Sequence, residues 1–224
     1  MTRGADLLDD LAADAIALAA GRRRAVLGIA GSPGSGKSTL VGSLAARIAE
    51  RMGPSWVAHV PMDGFHLADV QLTRLGLLGR KGAPETFDVD GYANLLHRVV
   101  TESGRPVYAP GFERDLEQPL AAALVVPAEA RLVLTEGNYL LLDRPEWAHA
   151  RQAMSSVWFV TGDEESRVRR LVARHVEFGK DPAAARAWVA ASDQPNADLV
   201  AATRGAADRV IVNGADGWRP GDRA

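Results

Sequence analysis

The chain has 224 residues, 47% hydrophobic and 24% charged, enough for one filled core. A formal net charge of −2 and a pI near 6.2 exclude the global basic field that attracts nucleic acid or an anionic membrane surface. The absence of cysteine rules out a disulfide framework and a thiolate metal site.

In chain order, residues 1–21 read as an amphipathic helix, and Asp6, Asp9, Asp10 and Asp14 deny them the basic flank of a secretory signal. Short runs rich in Val, Leu and Ile follow at Arg24–Ala30, Trp56–Met62, Arg131–Thr135, Val157–Val160 and Asp208–Val212, the pattern of buried parallel strands. Between them, helical periodicity is carried by Leu40, Leu44, Ile48 and Met52 in Gly36–Met52, by Leu95, Leu96 and Val99 in Asp90–Glu102, and by Val168, Leu171, Val172 and Val176 in Glu164–Phe178. Gly76–Asp88 and Gly104–Pro119 read as loops rich in Gly, Pro and charge. A helix at Trp188 is expected to break at Pro195, with Asn196 as a ligand contact or a cap of the next helix. The tail after Asn213 either borders a base or frays. Strands alternating with helices predict a three-layer α/β/α fold with a mainly parallel sheet. No stretch approaches the roughly 18 apolar residues that cross a bilayer. The expectation is therefore one cytoplasmic domain over residues 1–224, with neither nucleic acid nor membrane as partner and with a homodimer left open.

The segment Gly31, Ser32, Pro33, Gly34, Ser35, Gly36, Lys37, Ser38, Thr39 satisfies G-x-x-x-x-G-K-[ST] between an apolar strand and a helix, the context a P-loop requires. Glycines let the backbone wrap a phosphate, N–H groups and the helix N-terminus offset its charge, Lys37 bridges the terminal phosphates, and Ser38 offers a hydroxyl to Mg²⁺. The bound species expected is ATP. An acidic group belongs near the metal, and Glu136 at the end of Arg131–Thr135 is read as that group or as a strand-terminal Glu facing solvent. Asp63 follows the second strand, at the carboxyl edge where ligands bind in open α/β sheets. It is read either as the base that takes the proton of a substrate hydroxyl or as the cap of a helix-like segment Phe65–Leu75. His66 is read as a substrate contact or an ordinary loop histidine.

These residues resemble the phosphoribulokinase, uridine kinase and type I pantothenate kinase branch of P-loop kinases, and are similar to bacterial nucleoside or sugar (fructose transport system) kinase-like proteins. The marks are Gly31–Ser38, Met62-Asp63-Gly64-Phe65-His66, the loop Arg80–Asp88 with its Lys-Gly-Ala-Pro-Glu-Thr-Phe-Asp core, Pro106–Phe112, Thr135-Glu136-Gly137-Asn138-Tyr139 and the Arg-rich helix Arg167–His175. The resemblance implies a P-loop NTPase fold with a helical lid, spanning about residues 164–192. It implies Asp63 as base, Glu136 near Mg²⁺, and Arg170 and Arg174 closing over the phosphates beside Lys37. Arg167, Arg170 and Arg174 also share one helix face by spacing alone, a fork for phosphoryl oxygens or a solvated basic face. His66, Lys81, Glu85, Tyr108, Phe112, Arg114, Asn138 and Tyr139 are the candidate acceptor contacts, with each aromatic alternatively core packing and Lys81 and Glu85 alternatively paired to each other. The expected activity is transfer of the γ-phosphate of ATP to a hydroxyl of a nucleoside, sugar or pantothenate-like alcohol. The alternative is a regulatory or nucleotide-sensing P-loop NTPase without a small acceptor.

Overall fold

A computed structural model describes residues 3–102 and 104–222; residues 1–2, 103 and 223–224 of the expected domain lie outside them. Helix α1 (Arg3–Ala17) leads into strand β1 (Ala25–Ala30), the P-loop and helix α2 (Lys37–Met52). Strand β2 (Val57–His59) is followed by a 3-10 turn at Met62–Phe65, helix α3 (Asp69–Leu75), further 3-10 turns at Leu78–Arg80 and Pro84–Thr86, and helix α4 (Val89–Thr101). Next come strands β3 (Val107–Glu113), β4 (Gln118–Val126) and β5 (Leu132–Gly137), helix α5 (Pro145–Gln152), strand β6 (Ser156–Gly162) and helices α6 (Glu164–Glu177) and α7 (Pro182–Trp188). A π turn at Val189–Asp193, helix α8 (Gln194–Ala201) and strands β7 (Arg209–Gly214) and β8 (Gly217–Gly221) complete the chain.

The main sheet has the order β2-β5-β1-β6-β7-β8. Its first five strands run parallel, and β8 is antiparallel to β7. Every residue of β1 and β5 is buried, because helices cover both faces. Alternation along β1 divides the core: Ala25, Leu27 and Ile29 pack with α1 and α2, while Val26 and Ala30 pack with α4, α5 and α8. The apolar stripe of α1 (Leu11, Ala12, Ala15) is buried. Asp9 and Asp14 on its polar side pair with Arg47, Arg51 and Arg209. This is a three-layer α/β/α fold, as the alternation of elements predicts.

Two expectations are corrected. The stretch Gly104–Pro119 is not a loop: β3 and β4 form an antiparallel hairpin. Pro110 has no N–H to give the ladder, so the register jumps from Ala109↔Leu124 to Gly111↔Leu120 and β4 bulges outward, with Ala122 at φ 56°. Pro195 does not break the helical path either. The π turn carries α7 into α8, and Pro195 lies in the first turn of α8, where a missing N–H is tolerated. Of the tail after Asn213, Gly217–Gly221 form β8.

Candidate active site

The P-loop is held from outside by donors to its carbonyls. Arg167 Nη1 donates to Pro33 O at 3.1 Å, Arg170 Nε to Gly34 O at 2.9 Å, and Asn213 Nδ2 to Ser35 O at 2.9 Å. The N–H and C=O of one peptide point in opposite directions, so the N–H groups of Gly34 and Gly36 are turned away from these donors, toward the cleft that both residues line. Gly36 is at φ 102°, and a Cβ there would lie 2.4 Å from Asn213 Nδ2, which restricts the position to glycine. Ser32 Oγ donates to Ala197 O at 3.1 Å. Ser35 Oγ is buried with no partner among the described residues, an orphan hydroxyl inside an anion cradle.

The carboxyl ends of β1, β2 and β5 bring the reactive side chains to one cleft of about 720 Å³. Lys37 Nζ donates to Asn138 Oδ1 at 2.7 Å and to Ser32 O at 3.2 Å. Burial lowers its pKa to about 8, against the opposing pull of Glu136 and Asp63. Ser38 Oγ donates to Glu136 Oε2 at 2.8 Å, and burial raises the Glu136 carboxyl above its ordinary range. His59 Nε2 lies 3.6 Å from Glu136 Oε1. Part of that ring is exposed, but Nε2 is shielded and without a hydrogen-bond partner among the described residues, and burial lowers the His59 pKa to about 4.

Asp63 lies in the Met62–Phe65 turn and lines the cleft. The N-cap of α3 is Ala68, so Asp63 does not cap that helix. Its charge acts on Lys37, Glu136, His59 and His66 alike, as a position among them requires. Gly64 packs on the hairpin instead of leaving room for a ligand, since a Cβ there would meet Pro110 O at 2.3 Å.

Of the expected phosphate and acceptor contacts, Pro33, Gly34, Gly36, Lys37, Ser38, Thr39, His66, Lys81, Phe112, Arg114, Asn138, Arg170 and Arg174 line the cleft with Asp63 and Glu136. Gly31, Ser32 and Ser35 shape the loop behind it. Three expected contacts are elsewhere. Tyr108 is 59% exposed on the hairpin. Glu85 pairs with Arg80 and not with Lys81. Tyr139 is core, its ring 5.6 Å from Trp147 and its hydroxyl donating to Gly82 O. Lys81 reaches Asp69 Oδ1 at 2.7 Å and also donates to Glu117 O, which ties the Arg80–Asp88 loop to α3 and the hairpin tip.

The cleft also gathers residues that sequence reading missed: Phe87, Asp115 and Glu117 on one side, and His175, Phe178, Lys180, Trp188 and Asp193 on the other. His175 Nε2 and Asp193 Oδ2 are 2.8 Å apart, and Lys180 Nζ lies 4.8 Å over the Trp188 ring. The signal available for them was an aromatic and basic cluster directly after the arginine helix. Asn196 lines the cleft as well.

No protein-family model matches the chain. It is 34% identical over 175 residues to a candidate uridine kinase of Schizosaccharomyces pombe, a match covering 76% of this chain and 74% of that protein. It is 35% identical over 152 residues to an ATP-dependent kinase-like protein of Aspergillus versicolor, covering 64% of this chain and 88% of that one. The crystal structure of a candidate fructose transport system kinase from Silicibacter sp. TM1040 superposes with a TM-score of 0.81 at 36% identity, covering 91% of this chain and 98% of that one. With a complete P-loop at the end of β1 and similarity at this level over most of its length, the chain belongs to the uridine kinase and pantothenate kinase family of P-loop kinases.

Proposed function

We propose that the protein is an ATP-dependent phosphotransferase that moves the γ-phosphate to a hydroxyl of a small metabolite. The observation that carries this reading is the Asp63 carboxylate, which lines the same cleft as Lys37 and Glu136 and has no hydrogen-bond partner among the described residues. An NTPase acting on water alone needs no aromatic-walled chamber beyond its phosphate site, whereas Phe87, Phe112 and Trp188 suit the body of an organic acceptor.

The P-loop amides and Lys37 hold the β- and γ-phosphates, and Arg170 and Arg174 face the equatorial oxygens of the transferring group. The acceptor oxygen attacks the γ-phosphorus, the bond to the β–γ bridging oxygen breaks, ADP leaves, and the hydroxyl proton passes to Asp63. Ser38 and Glu136 present hard oxygens 2.8 Å apart. That pair fits Mg²⁺, which takes one or two protein oxygens and completes its shell with phosphates and water. The ion would offset phosphate charge when bound. Residues 164–192 act as a lid over a single domain, and the lack among the described residues of a helix long and apolar enough to cross a membrane accords with cytoplasmic work.

The test is ADP release with ATP and Mg²⁺, with and without uridine, D-fructose, pantothenate and related alcohols. Release that depends on one alcohol, with phosphate recovered on it, is the expected result. Equal hydrolysis with and without every alcohol would favour a regulatory NTPase instead.

A further inference from the structure

We propose that His66 is a positioning residue for Asp63, its ring fixing the turn that aims the carboxylate at the acceptor hydroxyl; this rests on the reading of Asp63 as the proton acceptor. The Asp63 carboxylate makes no hydrogen bond among the described residues, so the backbone of the Met62–Phe65 turn alone directs it. The carbonyl of Asp63 accepts twice from one residue, from the His66 backbone N–H at 3.2 Å and from His66 Nδ1 at 2.8 Å. A carbonyl can only accept, so Nδ1 carries the proton and Nε2 is the lone-pair nitrogen.

The ring is itself immobilised. Its centroid lies 4.1 Å from that of Phe87 and 4.9 Å from that of Phe112. The backbone on either side is stitched to the Arg80–Asp88 loop: Leu67 N donates to Thr86 O at 2.9 Å and Asp88 N to Phe65 O at 2.8 Å. On the other side Gly64 abuts Pro110 of the hairpin. The loop and the hairpin therefore meet at His66, and its Nδ1–H delivers their rigidity to the peptide that orients Asp63. Burial keeps the imidazole neutral. A neutral ring holds the turn without placing a competing positive charge beside the carboxylate that must accept a proton.

The experiment compares wild type with His66→Phe, which keeps the ring and removes the donor, and with His66→Asn, whose Nδ2 sits where Nδ1 does. ADP release is followed with ATP, Mg²⁺ and whichever of uridine, D-fructose and pantothenate supports turnover, or water if none does. His66→Phe should lower kcat about tenfold or more while the KM for ATP stays within about twofold, and His66→Asn should recover most of the loss, the scale expected when a reacting group is displaced by a fraction of an ångström. A His66→Phe protein with wild-type kcat, or a folded His66→Asn protein as slow as His66→Phe, would overturn the proposal. Asp63→Asn, run in parallel, separates the two readings: if it keeps turnover, the assignment of the base fails first. Long-range ¹H–¹⁵N spectra of the wild-type protein decide independently of any variant's folding, with the Nδ1–H tautomer of His66 expected and the Nε2–H tautomer contradicting it.

Discussion

Lys37 carries two opposed demands. Its amine must sit in a protein-lined cradle to meet the phosphates, and that burial disfavours the ammonium form, so its pKa falls to about 8. In the free protein Asn138 and the Ser32 carbonyl occupy its hydrogens. A triphosphate in the loop favours the charged amine again. Nucleotide binding should therefore take up a proton at and above the lowered pKa, and affinity should decline as pH rises beyond it. Calorimetry at about pH 9 in buffers of different ionisation enthalpy checks this, and proton-neutral binding there would contradict it. His59 makes the second pH prediction. Its folded pKa of about 4 lies below the ordinary 6.5. The unfolded chain then binds more protons between those values, so stability is present above 6.5 and declines as pH falls toward 4. Denaturant titrations at pH 7 and pH 5 should show the decline in wild type and a smaller one in His59→Gln.

Helix α6 divides into an anchored half and a free half. Asp163 caps it by accepting from Ser166 N at 2.8 Å. Arg167, only 4% exposed, is fixed by Glu164, Gln194 and Pro33 O, and Arg170 by Gly34 O. Arg174 lines the cleft, and its side chain makes no hydrogen bond among the described residues. The three-and-four spacing made the shared face of these arginines legible, but not their separate duties, because burial of Arg167 depends on the P-loop and α8 arriving from distant parts of the chain. Arg167→Ala should destabilise the fold by about 1–3 kcal/mol, read by denaturant unfolding, since it leaves the buried Pro33 carbonyl without its donor. On the proposed reading of 164–192 as a lid, residues 164–171 are its fixed root and closure on nucleotide belongs to residues 174–192. A non-hydrolysable ATP analogue should slow amide exchange there and leave 164–171 nearly unchanged; protection confined to 164–171 would contradict this division.

At the scale of the whole molecule, the parallel sheet and the cleft carboxylates Asp63 and Glu136 were readable because each depends on local signals: apolar runs, a glycine-rich turn, an acid at a strand end. The β3–β4 hairpin was not. Most of β4 faces solvent, so Gln118–Val126 shows no alternation, and its pairing with β3 is a contact that only the assembled chain reveals. The proposed acceptor wall shares that origin. Phe112 and Arg114 come from the hairpin, Lys81 and Phe87 from a loop braced on it, and Trp188 from beyond the lid helix, so the cleft forms only when three separate segments meet. In the proposed mechanism the sheet separates the tasks: Lys37 and Ser38 after β1 and Glu136 in β5 address the nucleotide, and Asp63 after β2, with β5 between it and β1, addresses the acceptor. The most direct measurement of that separation is kcat for phosphoryl transfer to an alcohol, alongside ATP affinity, in Asp63→Asn. The account predicts turnover reduced about 10²-fold or more with ATP affinity within a few-fold, since Asn keeps the shape and loses the base. A folded variant that retains more than about a tenth of wild-type turnover would contradict it.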